Sequence, residues 1–219
     1  AVDDTIQAAF GCAGQKCTAT SRVIITRGVV DEYTDRLLAK VREIHVGDGF
    51  DEQSDMGPVC GTTQLEQVLS YIETGQKENA RLLVGGDALQ EPPYEDGCFI
   101  APTVFDHVEP DMTIAQEEIF GPVLAILPVA DFEEAVQTAN GVRYGLSSSI
   151  YTQDLEKAFA FVDRTETGVT HVNLTTVSNE PQLSFGGYKE SGFGIPEAGR
   201  TGITFFTDLK VAYVKYGQG

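Results

Sequence analysis

Val123 to Asn173 reads VLAILPVADFEEAVQTANGVRYGLSSSIYTQDLEKAFAFVDRTETGVTHVN, and this stretch decides the fold. Three strand-like runs, Val123–Leu127, Ser148–Tyr151 and Val169–Val172, are separated by helical stretches at 131–140 and 154–163. Strands alternating with helices of this length form βαβ units, so the spacing predicts a largely parallel sheet flanked by helices. Upstream, the β-branched run Arg22–Thr26 reads as a buried strand. Leu82–Val84 and Thr103–Phe105 read as further strands. Val2, Ile6, Ala9, Phe10 and Ala13 share one helical face. Tyr33, Leu37, Val41 and Ile44 predict a helix that Asp31 caps and that ends before Gly47. Thr63 and Glu66 stand at capping-box spacing ahead of Val68, Leu69 and Ile72. Downstream, Leu209 to Tyr216 alternates like an edge strand, with apolar groups on both faces. The opening helix has no capping residue before it and no initiator methionine, as expected of a piece of a longer chain.

Of 219 residues, 15 are Lys or Arg and 33 Asp or Glu, a formal charge of −18. A surface this acidic repels phosphate, so neither nucleic acid nor an anionic membrane is an expected partner. The 42% hydrophobic content fits a folded α/β domain and excludes disorder. The longest nearly uncharged stretch, Ile119–Ala130, is too short to span a bilayer and is broken by Gly121, Pro122 and Pro128. The acidic start carries no export signal, so a cytoplasmic setting and reduced thiols are expected. Cys12, Cys17, Cys60 and Cys98 form no CxxC, and His45, His107 and His171 are scattered, so no metal site is expected.

Chemistry can sit at a few places. Cys17 follows Gly14, which permits a tight turn, and Lys16 and Arg22 are basic neighbours able to favour a thiolate, the nucleophile that a carbonyl substrate needs. The bland reading of any one cysteine is a small buried hydrophobe. Glu117 and Glu118 precede Ile119-Phe120-Gly121-Pro122 and a strand; a carboxylate there can accept ribose hydroxyls, or simply sit in a solvated turn. Asn173 closes the Val169–Val172 strand, where α/β sheets present ligand-facing groups and where asparagine also serves as a turn residue. The glycine-dense run Phe185–Gly194 matches neither GxGxxG nor a Walker A string, and no dinucleotide fingerprint occurs in the chain.

FGCAGQKCTATSRV (Phe10–Val23), MGP (Met56–Pro58), IAQEEIFGPVLAI (Ile114–Ile126), YGLSSSIYT (Tyr144–Thr152), GVTHVN (Gly168–Asn173) and LSFGGYKESGFG (Leu183–Gly194) occur in that order. Together they resemble the aldehyde dehydrogenase superfamily, and the resemblance covers only its C-terminal, catalytic portion. It implies a Rossmann-like, largely parallel α/β catalytic domain over 1–208 and a C-terminal oligomerisation strand over 209–219, with the N-terminal cofactor domain outside these residues. By the same resemblance, Cys17 attacks an aldehyde to give a thiohemiacetal. Hydride then passes to NAD or NADP, and water hydrolyses the resulting thioester to a carboxylic acid. The backbone N–H of Cys17 serves as one oxyanion donor. Glu118 holds the nicotinamide ribose, Phe120 lies against the nicotinamide, Asn173 sits near the cysteine, and Phe185 lies near the substrate funnel.

The family's general-base glutamate and its second oxyanion donor, an asparagine, belong to segments upstream of this region. The isolated chain is therefore expected to turn over little. Ile195-Pro196-Glu197 departs from the Gly-Arg-Glu type of string commoner in the family, in a region that bears on substrate choice. Asn173–Ser184 is similar to semialdehyde-oxidising members. Homo-oligomers, dimers or larger, are the expected assembly. Two other readings stand beside this one: a cofactor-independent thiol hydrolase, which needs a histidine at Cys17, and a non-catalytic oligomerisation module.

Overall fold

The computed structural model describes residues 1–217. In chain order its elements are α1 (Val2–Phe10), β1 (Arg22–Thr26), α2 (Val30–Val41), α3 (Thr62–Lys77), β2 (Arg81–Val84), β3 (Ala88–Leu89), β4 (Phe99–Ile100), β5 (Thr103–Asp106) and α4 (Thr113–Gln116). There follow β6 (Val123–Val129), α5 (Phe132–Asn140), β7 (Tyr144–Gly145), β8 (Ser147–Ile150), α6 (Leu155–Arg164), β9 (Val169–Val172), β10 (Tyr188–Lys189) and α7 (Gly199–Phe205).

The main sheet has the order β1-β6-β5-β2, with β1 and β5 parallel to β6 and β2 antiparallel at the far edge. β8 and β9 form a separate parallel pair, so the expected parallel character holds for most of the longer strands. β6 explains the sheet's position. Six of its seven residues are buried, the continuous apolar run of a strand covered on both faces. Pro128 sits within it at no cost to the ladder. Ala125 N–H donates to Ser21 O, so Ala125, Leu127 and Val129 turn their backbone toward β1. Pro128 therefore faces the β5 side, where pairing has already ended at Ala125. Phe105, Leu124 and Ile126 from the sheet, Leu37 from α2 and Val68 from α3 are fully buried together.

Two caps differ from expectation. α2 starts at Val30 with Val29 as its uncapped N-cap, which places Asp31 in the first turn; its end, at Val41, does fall before Gly47 as expected. α3 starts at Thr62 after Gly61, whose φ of 88° turns the chain into the helix; Thr63 lies inside it and no capping box forms. α5 and α6 do carry side-chain caps, Asp131 on Glu134 N–H and Asp154 on Glu156 and Lys157 N–H.

The C-terminal edge strand does not form in this chain. Residues 207–217 carry no strand or helix, and Leu209 and Tyr213 are more than nine-tenths exposed. An alternating sequence becomes a strand only where a second backbone supplies its hydrogen bonds, and none lies beside it here. The last two residues of the 209–219 segment, 218 and 219, lie outside the described residues.

Candidate active site

Cys17 lies on the loop between α1 and β1, and the loop is tightly wound. Cys12 and Ala13 both have φ of 54°, and Gly14 follows at 68°. Gly14 is there for a spatial reason as well: a Cβ on it would lie 2.1 Å from the carbonyl oxygen of Gly121. Gly121 in turn packs so closely on Val68 that a Cβ would lie 2.4 Å from a side-chain methyl. This glycine-on-glycine contact presses the cysteine loop against the Glu117–Pro122 segment, about a hundred residues away in sequence. Gln15 fastens the loop on its other side, its Oε1 accepting the Cys60 N–H at 2.8 Å.

The Glu117–Pro122 segment is itself held in place. Gln64 Nε2 donates to the carbonyls of Ile119 (3.2 Å) and Phe120 (2.9 Å). That grip keeps Phe120 at φ 55°, a conformation costly for an aromatic residue, with its side chain partly exposed. The two glutamates diverge. The Tyr71 hydroxyl donates to Glu117 Oε2 at 2.8 Å, and burial, followed by the Glu117 carboxylate, pushes that phenol up to about 12. Glu118 has no hydrogen-bond or ion-pair partner among the described residues, so its carboxylate is free to accept.

Cys17, Glu118 and Phe120 border one cavity of about 910 Å³, along with Lys16, Tyr144 and Ser191. The Cys17 thiol is free and exposed, and its backbone N–H has no partner among the described residues. Arg22 borders the same cavity, but its guanidinium is turned to the last turn of α5, donating to the Thr138 and Ala139 carbonyls at 3.1 and 3.2 Å. Burial lowers it to about 10, so it remains a cation at neutral pH and caps that helix.

Asn173 and Phe185 do not line the cavity. Asn173, at φ 54°, clasps the end of β8 with both side-chain atoms, accepting from Thr152 N–H and donating to Thr152 O at 2.9 Å each. Phe185 is half-buried on a short bridge to Glu197. No histidine borders the cavity among the described residues. His171 is buried elsewhere, its ring nitrogens facing the carbonyls of Ser148 and Ser178 at 3.1 and 2.7 Å. A Cys–His hydrolase pair therefore has no geometric basis.

The aldehyde dehydrogenase family model matches residues 1–212. The chain belongs to the aldehyde dehydrogenase family. Among its relatives, an α-ketoglutaric semialdehyde dehydrogenase of Bacillus subtilis is 42% identical over 98% of the chain and 44% of the relative. An α-ketoglutarate semialdehyde dehydrogenase of Haloferax volcanii is 42% identical over 99% of the chain and 45% of the relative. The fold matches the crystal structure of an NAD-dependent aldehyde dehydrogenase from Sinorhizobium meliloti (TM-score 0.92, 36% identity, all of this chain, 42% of that one). It also matches betaine aldehyde dehydrogenase from Staphylococcus aureus in complex with NAD+ (TM-score 0.91, 33% identity, 94% and 40%). The chain thus spans less than half the length of these relatives.

Sequence reasoning missed Ser191 and Tyr144 at the cavity of this family member. Ser191 Oγ accepts the Gly145 N–H at 3.0 Å, tying the glycine-dense loop to β7. Gly187 and Ser191 also approach within 2.4 Å of a Cβ position, a contact that glycine density alone signals without naming its partner.

Proposed function

We propose that this chain carries the nucleophilic half of an NAD(P)-dependent oxidation of an aldehyde, of the semialdehyde class, to a carboxylic acid. The observation that carries the proposal is the Gly14–Gly121 contact, which sets the Cys17 thiol on the same cavity as a free carboxylate and an exposed aromatic ring. The semialdehyde class rests on the names of the relatives at 42% identity.

A nicotinamide cofactor fits the residues present. Glu118 has unclaimed acceptor oxygens for ribose hydroxyls, and Phe120 offers a ring face held by a strained backbone. When bound, that cofactor supplies a hydride acceptor. The chain's own part is covalent. The Cys17 thiolate adds to the aldehyde carbon, and its unpaired backbone N–H faces the developing oxyanion. After loss of hydride, the acyl group remains on sulfur as a thioester, and water releases the acid and restores the thiol. That last step calls on a base to activate water. In the 219-residue chain alone, acyl transfer to Cys17 is therefore expected to outrun hydrolysis.

The test is mass-spectrometric. Brief exposure to p-nitrophenyl acetate is expected to leave one acetyl group on the peptide holding Cys17, and Cys17→Ser is expected to remove it. Gly14→Ala is expected to slow acylation strongly while Cys17 stays in place, because the loop can no longer seat on Gly121. Acylation first at Cys12, Cys60 or Cys98 would overturn the proposal.

A further inference from the structure

On the reading of Cys17 as the nucleophile, we infer that Thr176 is its positioning residue: the Thr176 hydroxyl fixes the turn that carries Cys17 and so aims the Cys17 N–H at the developing oxyanion. Lys16 to Ala19 form a tight turn, closed by the Ala19 N–H donating to Lys16 O at 2.9 Å, with Cys17 and Thr18 as its central residues. Thr18 C=O and Ala19 N–H belong to one planar peptide group. Its N–H end is held inside the turn, and its C=O end accepts from Thr176 Oγ1 at 2.7 Å, across 158 positions of sequence. Thr18 is buried, which strengthens a hydrogen bond made there and raises the cost of losing it. With both ends of this peptide held, the turn keeps one shape. The Lys16–Cys17 peptide, whose N–H is unpaired among the described residues, then keeps one direction.

Proton counting gives the hydroxyls around Thr176 an order. Thr176 Oγ1 carries one proton and gives it to Thr18 O, which can only accept. Thr20 Oγ1, 2.8 Å from Thr176 Oγ1, is therefore the donor in that pair. The chain of bonds runs one way, from Thr20 through Thr176 to the Thr18 carbonyl, and each bond polarises the next. Both ends of it are anchored. The Thr20 N–H donates to Ala8 O of α1 at 3.3 Å. Ser147 Oγ of β8 donates to the Thr176 carbonyl at 3.0 Å. The residues before Thr176 are tied in the same manner, Ser149 Oγ donating to Leu174 O at 2.5 Å and Thr175 Oγ1 to Asp4 O at 3.3 Å.

Thr176 lies within Asn173–Ser184, the stretch similar to semialdehyde-oxidising members, and it borders the same cavity as Cys17. A substitution at 176 thus changes the aim of the nucleophile as well as the wall that a substrate meets. Serine keeps the hydroxyl and its single proton, whereas valine keeps the branched shape and removes donor and acceptor together.

The test compares two reactions of Cys17 in the 219-residue chain, each followed by mass spectrometry of the Cys17 peptide. Acetylation by p-nitrophenyl acetate passes through an oxyanion before p-nitrophenolate leaves; alkylation by iodoacetamide displaces iodide and forms no oxyanion. Thr176→Val is expected to slow acetylation at saturating ester by about tenfold and to change alkylation by less than about twofold. Thr176→Ser is expected to bring acetylation back to within about twofold of the unaltered chain. If Thr176→Val does not fold, Thr20→Val, which removes only the donor behind the Thr176–Thr18 bond, is expected to slow acetylation by about threefold without moving alkylation. Equal slowing of both reactions would assign Thr176 a merely structural role and overturn the inference. So would unchanged acetylation in a folded valine variant, or serine that fails to rescue. Each of these results leaves the proposed function standing so long as the unaltered chain is acetylated at Cys17; no acetylation there overturns both.

Discussion

β6 and the C-terminal tail carry sequences of similar apolar content and end in opposite environments. Leu124 and Ile126 of β6 are fully buried, whereas Leu209, Tyr213 and Tyr216 stand at 94%, 96% and 90% exposure. What separates them is backbone company. β6 has β1 on one side over Ala125–Val129 and β5 on the other over Val123–Ala125, and helices pack on it, so its side chains have a destination and its backbone has a strand beside it at every residue. The tail has neither neighbour nor cover. Apolar alternation thus marks a demand for a partner, and the partner need not belong to the same stretch of chain.

The widest gap between the two regions should appear on truncating aromatic side chains. Phe105 is fully buried beside β6, and Phe105→Ala is expected to cost about 3–5 kcal/mol in urea unfolding, the range for a large core residue that leaves a cavity. Tyr213→Ala is expected to change stability by less than about 0.5 kcal/mol. A tail substitution as costly as the core one would show that the tail is packed in solution.

Legibility in the sequence follows the same division. Arg22–Thr26 and Val169–Val172 coincide with their observed strands because β-branched residues at a half-buried surface leave little choice. The two-residue strands β3, β4, β7 and β10 were not readable, since a period of two needs more than two residues to show itself. The Thr63–Glu66 box failed because Gly61 sets the start of α3 two residues earlier. At the site, Cys17, Glu118 and Phe120 could be named from their strings, but their meeting depends on Gly14 touching Gly121, which is a property of the tertiary fold. Asn173 illustrates the converse. Its side chain is spent on Thr152, the turn-holding role that its position at a strand end also allowed.

A smaller effect tests the rim of the core, where the sheet meets solvent. Asp106 ends β5, where Arg81 Nε donates to its Oδ1 at 2.8 Å, a second guanidinium nitrogen meets Oδ2, and His107 Nδ1 lies 3.0 Å from Oδ1. Burial pushes this carboxyl up, but Arg81 and His107 outweigh it and hold it below the ordinary carboxylate value. A depressed carboxyl contributes stability that is complete above its unfolded value of about 3.9 and is lost as pH falls through the folded value. Asp106→Asn is therefore expected to cost about 1–2 kcal/mol at pH 7 and to flatten the acid limb of the stability curve below about pH 4. An unchanged acid limb in the variant would assign the limb to other carboxylates.

The smallest expected effect on stability carries the most information about assembly. Ending the chain at Asp208 removes a segment whose described residues are exposed and make no hydrogen bond or ion pair with the rest, so the unfolding free energy is expected to move by less than about 0.5 kcal/mol. The sedimenting mass is expected to respond differently. Leu209, Val211 and Tyr213 on one face and Val214 and Tyr216 on the other are too apolar to remain in water without cost, and the backbone between them offers a full row of unmatched donors and acceptors. Pairing of this segment with an exposed edge or with its counterpart in a second chain satisfies both at once, and a closed two-fold arrangement is the simplest that leaves no further edge free. We expect the intact chain to sediment as a dimer and the chain ending at Asp208 as a monomer, at equal stability per chain. Monomer masses for both would leave the tail's apolar alternation without a function in self-association. Dimers for both would move the interface onto the folded body, with the exposed Phe205 and Phe206 of the α7 region as the first surface to probe.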